Sequence, residues 1–272
     1  MQIKTTFHRF LAANFFLMLL VPLACAPIVS FTPLTPQEVT PPVYGEVYKP
    51  FVQGPQPAVI LLHDSQGQKA SYIHTFAEKL TKEGYVVLLM NYHAEYKPSK
   101  TLIRGLDVWR SWQEMVRNAV TYLNSDPNVR KNQIGFIGFS EGATLAVSVA
   151  GSIPNLKALV DYYGSNPDEN KMVCTYGGGK VDTLYYSKDP FSNMPPVLIH
   201  HGDNDSYTSV SSSKNLYQTL KDNGVTAEIH VYKGVGKNFV DYRYRALYSP
   251  EAADESWKLT LAFLDNHLKT KD

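Results

Sequence analysis

The chain has few of the residues that build metal sites, disulfide frameworks or strongly charged surfaces. Its 272 residues include two cysteines, Cys25 and Cys174, which lie far apart and form no metal-type spacing with histidine. Basic residues number 26 and acidic residues 25, so the net charge is +1. A balanced charge provides no broad basic field for nucleic acid or anionic lipid. The composition therefore predicts neither a metal site nor a nucleic-acid partner.

A long membrane-spanning run is also missing. The apolar stretch Phe10 to Val21 has 12 residues and follows two basic residues, Lys4 and Arg9. It is too short to cross a bilayer comfortably, but it is typical of an export signal. We therefore predict a signal over residues 1–25 and export from a bacterial cytoplasm.

The end of this signal leaves two outcomes open. Leu23-Ala24-Cys25 resembles the end of a bacterial lipobox, which predicts a lipid anchor at Cys25 and a periplasmic or membrane-anchored lipoprotein. Cleavage by ordinary signal peptidase after Ala26 would instead give a secreted protein. If Cys25 is lipidated or removed, Cys174 lacks a partner, so no intramolecular disulfide is expected.

Residues 26–43 hold five prolines and almost no charge, which predicts an extended tether. Residues 44–272 alternate strand-like and helix-like segments, as in one α/β domain with a doubly wound, mostly parallel sheet and helices on both faces. The predicted strands are Ala58 to Leu62, Tyr85 to Met90, Ile134 to Phe139, Leu156 to Tyr163, Pro196 to His200 and Ala227 to Tyr232. The predicted helices are Ser71 to Glu83, Asp107 to Asn124, Ala143 to Ala150, Ser211 to Asn223 and Ser249 to Leu268. Cys174 to Gly179 is predicted as a loop over the strand ends.

The most informative motif is Gly138-Phe139-Ser140-Glu141-Gly142, between a predicted strand and a predicted helix. A serine flanked by two spaced glycines at such a switch is the nucleophile elbow of the α/β-hydrolases. The turn is so tight that its neighbours must lack bulk, and it holds the hydroxyl above the sheet at a helix N-terminus. The motif predicts the α/β-hydrolase fold with Ser140 as nucleophile. The alternative is a tight turn with an incidental serine.

A serine nucleophile needs a base, an acid that orients the base, and amides that stabilise an oxyanion. In α/β-hydrolases the acid follows the serine along the chain and precedes the histidine. Asp205 is the predicted acid and Asp203 the reserve, since both follow the strand Pro196 to His200. The oxyanion amides are predicted at Glu141 and at Ser65 or its immediate neighbours.

In this order the motifs resemble those of the dienelactone hydrolase family. The shared residues are His63-Asp64 with Gly67, Glu83-Gly84-Tyr85, Gly138-x-Ser140-x-Gly142, Tyr162-Tyr163-Gly164, His201-Gly202 with Asp205, and the tail Phe239 to Leu268. The resemblance covers about Val43 to Lys269. It implies a hydrolase of small lactones or carboxylic esters that uses no cofactor. Founding members have a cysteine nucleophile, and many relatives have serine, as here.

One residue departs from the family's pattern. The family's base lies in a segment like Gly-x-Gly-His-x-Phe, and here Lys237 stands in place of the histidine. Lysine titrates near 10.4 and is protonated at neutral pH, whereas imidazole titrates near 6.5. We therefore expect an ion pair between Lys237 and Asp205, and weak or absent activity. Burial could instead make the lysine a base, as in other serine enzymes with lysine bases.

Two functions stay open. The first is an ester or lactone hydrolase with Ser140, Asp205, and either Lys237 or a displaced histidine as base. His93 is the plausible substitute besides His63, and His63 is expected to brace its loop. The second is a non-catalytic hydrolase fold that binds a small ligand or a protein partner, since fold analogy alone cannot choose. The sequence leaves the substrate and the oligomeric state undetermined.

Overall fold

The computed structural model describes residues 43–94, 105–165, 171–175, 181–185, 191 and 193–269. The predicted export signal, the tether up to residue 42 and the glycines at 177–179 lie outside these residues. Among the residues that are described, no helix is both long and apolar enough to cross a membrane.

The described residues form nine strands and five helices. The strands are β1 (Gly45–Tyr48), β2 (Gln56–Leu62), β3 (Val86–Met90), β4 (Val129–Phe139), β5 (Ala158–Tyr162), β6 (Lys171–Thr175), β7 (Val181–Tyr185), β8 (Val197–Gly202) and β9 (Ala227–Tyr232). The helices are α1 (Ser71–Lys82), α2 (Gly105–Ser125), α3 (Glu141–Ala150), α4 (Val210–Asp222) and α5 (Pro250–Leu268).

Seven of these strands form one sheet in the order β1-β3-β2-β4-β5-β8-β9. The edge strand β1 is antiparallel to β3, and the other neighbours are parallel. The strands β6 and β7 pair separately in an antiparallel hairpin. The predicted doubly wound, mostly parallel sheet is therefore confirmed.

The central strands are buried on both faces, which explains their continuous apolar sequences. Residues Ala58 to Leu62 of β2 are fully buried, and their side chains alternate between two cores. One core contains apolar residues of α2, α3 and α4, and the other contains those of α1 and α5. Helices therefore cover both faces of the sheet, as predicted.

Each predicted strand and helix is present, with bounds shifted by a few residues. The largest shift is in β4, which begins at Val129 because Val129 pairs with Gln56 of β2. The register then shifts across the polar residues 130–133, and regular pairing resumes at Ile134. The prediction of a loop at Cys174 and Thr175 was wrong, since both belong to β6, where pairing with β7 satisfies the backbone. The edge strand β1 was also not predicted.

The carboxyl ends of the parallel strands meet at one edge of the sheet. The loop after β2, the turn after β3, the β4–α3 elbow and the turn after β8 all begin at this edge. In open α/β sheets ligands bind at this edge. The candidate site is therefore built from segments that are distant in sequence.

Candidate active site

The elbow at Ser140 has the strained backbone that its sequence predicts. Ser140 has φ 51° and ψ −112°, a left-handed region that L-residues rarely adopt. The turn is held because the Ser140 amide donates to the Tyr162 carbonyl at 2.8 Å, while the Ser140 carbonyl accepts from the amides of Ala143 and Thr144 at 3.1 and 3.0 Å. The serine thus stands at the first turn of α3, where the helix dipole favours negative charge.

The two glycines of the elbow are required by close contacts. A Cβ on Gly138 would lie 2.4 Å from Ala143 Cα, and one on Gly142 would lie 2.3 Å from the carbonyl oxygen of His63. No larger side chain fits at either position without a backbone shift. The glycine at 142 therefore allows the elbow to pack directly on the end of β2.

The two predicted oxyanion amides lie on either side of this contact. Glu141 begins α3, and Ser65 is exposed in the loop after β2. The next amides of that loop, at Gln66 and Gly67, donate to Asp64 Oδ1 at 2.9 Å and to the Asp64 carbonyl at 3.0 Å. Within the described part of the chain, the amides of Glu141 and Ser65 have no acceptor.

Asp205 lies in a closed pocket of hydrogen-bond donors. Its side chain is fully buried, and Oδ1 accepts from the amides of Tyr207 and Thr208 at 2.7 and 2.9 Å. Oδ2 lies 3.4 Å from His201 Nε2. Burial alone would raise the pKa of Asp205, but His201 and the two amides lower it below its ordinary value. Asp205 is therefore a carboxylate whose Oδ2 makes no hydrogen bond to any described residue.

Lys237 makes no ion pair with this carboxylate. Its Nζ lies 3.4 Å from Thr208 Oγ1 and 5.4 Å from the centre of the Tyr207 ring. Among the described residues, no carboxylate oxygen lies within 4.0 Å of Nζ, so the predicted Lys237–Asp205 ion pair was wrong. The reason is that Asp205 is turned inward by the amides of its own turn.

Asp203, the reserve acid, has a structural contact. It is exposed, and Oδ1 accepts from the Gly234 amide at 2.6 Å. That bond ties the turn after β8 to the loop that carries Lys237, together with the bond from the Asn204 amide to the Val235 carbonyl at 3.0 Å. Asp203 thus holds the loop that carries Lys237, the residue at the family's base position.

Two histidines lie beside the elbow, and neither contacts the serine hydroxyl. His63 is buried, its Nδ1 donates to the Asp64 carbonyl at 2.7 Å, and its ring stacks on Tyr92 with centres 4.1 Å apart. Burial lowers the pKa of His63 to about 4, so the ring is neutral and braces its loop. His93 Nε2 lies 3.0 Å from Glu141 Oε2. Across the described residues, no histidine is hydrogen-bonded to Ser140 Oγ.

Two features were not predicted from the sequence. The contact between His93 and Glu141 joins residues 48 positions apart, and its one signal was a histidine at a strand end. The other feature is Asp161, a fully buried carboxylate in β5 whose Oδ1 accepts from the Gly164 amide at 2.7 Å. Burial raises the pKa of Asp161 to about 6. Its signal was an aspartate within the apolar segment Leu159 to Tyr163.

In the described ranges, no three His, Cys, Asp or Glu side chains are grouped to hold a metal ion.

Comparison with known proteins places the chain in a family. The model of the dienelactone hydrolase family matches residues 43–268. A probable 2-oxo-3-(5-oxofuran-2-ylidene)propanoate lactonase from Bradyrhizobium sp. is 28% identical over 231 residues, which cover 81% of this chain and 88% of the relative. The protein usf of Aquifex pyrophilus is 25% identical over 222 residues, which cover 78% of this chain and 89% of that protein.

Solved structures have the same fold. A dienelactone hydrolase-like promiscuous phosphotriesterase from metagenomic libraries aligns with a TM-score of 0.65 at 18% identity, covering 83% of this chain and 93% of its own. An α/β-hydrolase enzyme from a deep-sea metagenome library also aligns with a TM-score of 0.65, at 15% identity, covering 89% of this chain and 98% of its own. The fold is therefore that of the α/β-hydrolases. Because the family model spans residues 43–268, the chain belongs to the dienelactone hydrolase family.

Proposed function

We propose that this protein is a weak hydrolase of small carboxylic esters or lactones, with Ser140 as its nucleophile. The observation that carries the proposal is the strained backbone of Ser140, φ 51° and ψ −112°, at the N-terminus of α3. Such strain persists where the surrounding structure enforces it, and here it presents a hydroxyl at the first turn of α3, next to the Glu141 amide. Membership of the dienelactone hydrolase family and a relative named as a lactonase support the same substrate class.

The low activity follows from the base position. A serine hydroxyl needs a base to accept its proton. Lys237 contacts a neutral hydroxyl and an aromatic ring. The buried carboxylate of Asp205 lies 3.4 Å from His201, whose ring nitrogens contact Ser213 and Thr208 rather than Ser140. In this proposal Asp205 is the acid and the amides of Glu141 and Ser65 form the oxyanion site, while lysine replaces the base.

A second candidate is a non-catalytic fold that binds a small ligand or a protein partner. It is favoured by one observation, that no histidine among the described residues is hydrogen-bonded to Ser140 Oγ. In this alternative the elbow would hold a ligand oxygen without forming a covalent bond.

The two candidates are separated by a fluorophosphonate probe and p-nitrophenyl ester hydrolysis, with wild type and Ser140→Ala compared. We expect slow covalent labelling of the wild type and none in the Ser140→Ala variant. Equal responses of the two proteins at every pH would favour the binding function.

We further expect Lys237→His to raise ester hydrolysis by about 10- to 100-fold, since a positioned base contributes about 10²- to 10⁴-fold. The introduced imidazole would accept the serine proton, with Asp205 Oδ2, which makes no hydrogen bond to a described residue, as its carboxylate partner. Lys233→His is the matched control, because Lys233 is exposed on the same loop. No gain in Lys237→His, with the fold intact by circular dichroism, would show that the rest of the triad is not preserved.

A further inference from the structure

We propose that the pair formed by His93 and Glu141, here called the His93–Glu141 pair, supplies the general base for Ser140 in place of the missing histidine. The inference rests on the proposed hydrolase function and identifies how proton transfer occurs there. Glu141 directly follows Ser140, and His93 stands three residues after β3. Because β3, β2 and β4 are adjacent in the sheet, these two segments meet beside the elbow.

The contact between the two side chains fixes the tautomer of the imidazole. His93 Nε2 lies 3.0 Å from Glu141 Oε2, and an ionised carboxylate can only accept a hydrogen bond. Nε2 must therefore carry the hydrogen, and Nδ1 keeps its lone pair. No described residue is hydrogen-bonded to Nδ1. In catalytic triads a carboxylate likewise orients the histidine through one ring nitrogen, and the other nitrogen accepts the serine proton. Here that second nitrogen is Nδ1, which would reach Ser140 Oγ through a water molecule.

The pair is open to a substrate and to water. The His93 side chain is 25% exposed and that of Glu141 is 32% exposed. This partial exposure contrasts with Asp205, whose side chain is fully buried. The His93–Glu141 pair is thus the acid–histidine couple that a water molecule entering the site can reach.

Aromatic rings hold His93 in position. Its ring lies 4.6 Å from Tyr92, 4.6 Å from His63 and 4.9 Å from Trp112, measured between ring centres. The Tyr92 hydroxyl donates to the His63 carbonyl at 2.6 Å and approaches Glu141 Oε2 at 3.4 Å. Burial lowers the pKa of His63 to about 4 and raises that of Tyr92, so both neighbours are neutral near pH 7. Among the described residues, the charged side chain that contacts His93 is therefore Glu141.

The proton transfers balance with His93 as carrier. As Ser140 Oγ attacks the carbonyl carbon, its proton passes through one water molecule to His93 Nδ1, and the carbonyl electron pair moves to the oxygen. When the tetrahedral intermediate collapses, the bond to the leaving oxygen breaks and that oxygen takes the proton from the imidazolium. Water then attacks the acyl group, its proton goes to Nδ1, and Ser140 Oγ regains that proton as the acid leaves.

The test uses the full domain with three variants. His93→Gln removes the base and is expected to lower both fluorophosphonate labelling of Ser140 and ester hydrolysis by about 100-fold. Glu141→Gln keeps the packing and a hydrogen-bond acceptor but removes the charge, and we expect a loss of about tenfold, a shift of about 1.4 kcal/mol. His230→Gln is the matched control, since His230 also pairs with a glutamate, Glu228, at 3.9 Å on the edge strand β9. We expect wild-type activity from it.

The pH profile separates this base from Lys237. With an imidazole base, activity increases with pH up to about pH 7.5 and is constant at higher pH. With a lysine base, activity still increases with pH above about pH 9. Labelling that depends on Ser140 but is unchanged in His93→Gln and Glu141→Gln would overturn this inference and leave the hydrolase function standing. Absence of labelling in the wild type would instead overturn the proposed function. Near-ultraviolet circular dichroism of each variant shows whether a loss comes from unfolding.

Discussion

Gly142 is the elbow position where a single methyl group should matter most, because a Cβ there would lie 2.3 Å from the His63 carbonyl oxygen. We expect Gly142→Ala to move the elbow off the end of β2, to lower labelling of Ser140 at least 100-fold, and to destabilise the fold by about 2 kcal/mol. Urea unfolding and probe labelling measure the two effects. Gly236→Ala is the control, since its Cβ would meet no atom closer than 3.5 Å. Equal behaviour of the two variants would contradict the packing described for the elbow.

Asp161 should make stability depend on pH. Burial raises its pKa from 3.8 to about 6, so between these values the unfolded chain ionises while the folded chain keeps the proton. The stability that comes from the protonated carboxyl is thus fully present below about pH 4 and lost as pH rises through about 6. Between pH 4 and 7 we expect the free energy of unfolding of Asp161→Asn to rise relative to the wild type by about 2 kcal/mol, from about 1.4 kcal/mol per unit of pKa.

The measurement is urea unfolding of both proteins at the two pH values. Asp126→Asn is the opposite control, because Lys49 and the Asn128 groups overcome burial and lower the pKa of Asp126. The stability that ionised Asp126 gives the wild type is present above the ordinary carboxyl pKa and is lost as pH falls through the lowered pKa. A pH-independent difference between Asp161→Asn and the wild type would show that this carboxyl is not buried as described.

The strained turn at Ser140 and its two glycines could be predicted because their geometry follows from a local motif. The contacts of Asp205 could not, since its Oδ1 is bound by the amides of Tyr207 and Thr208 rather than by Lys237. The contact of His93 with Glu141 depends on the order of three strands. Side-chain direction, rather than residue identity, was the information that the sequence lacked.

At the scale of elements, the strands that could be predicted were those with continuous apolar runs. Every residue of β3 and β5 is buried, and both appear in the sequence as uninterrupted apolar stretches with one exception, Asp161. The strand β1 has four residues, of which two are only partly buried, so its pattern does not stand out. Edge position and short length thus explain why it was not predicted.

The closing helix α5 begins at a side-chain cap that can be tested. Ser249 Oγ accepts from the Ala252 amide at 3.4 Å, and Pro250 follows at the first helical position. We expect Ser249→Ala to lower the free energy of unfolding by about 1 kcal/mol, with ester hydrolysis unchanged. Ser249→Asp keeps an acceptor at the cap and should retain the stability. Urea unfolding of both variants is the measurement, and equal losses in both would argue against a capping role.

At the scale of the whole molecule, one hydrolase domain accounts for residues 43–268. We propose that the residues before it export the protein and that Cys25 carries a lipid anchor, as the lipobox-like sequence predicts. Expression of the full chain in a bacterium should then place it in the membrane fraction, with a lipid mass on Cys25. Cys25→Ser should move it to the soluble fraction. Membrane association that is unchanged in this variant would contradict the anchor.

The most direct test of the account is the mass of the intact wild-type protein after reaction with a fluorophosphonate, followed by peptide mapping. The account predicts one adduct, on the peptide that contains Ser140, formed slowly and absent from Ser140→Ala. A wild-type protein that remains unmodified from about pH 6 to 10, the range over which imidazole and lysine bases lose their protons, would contradict it.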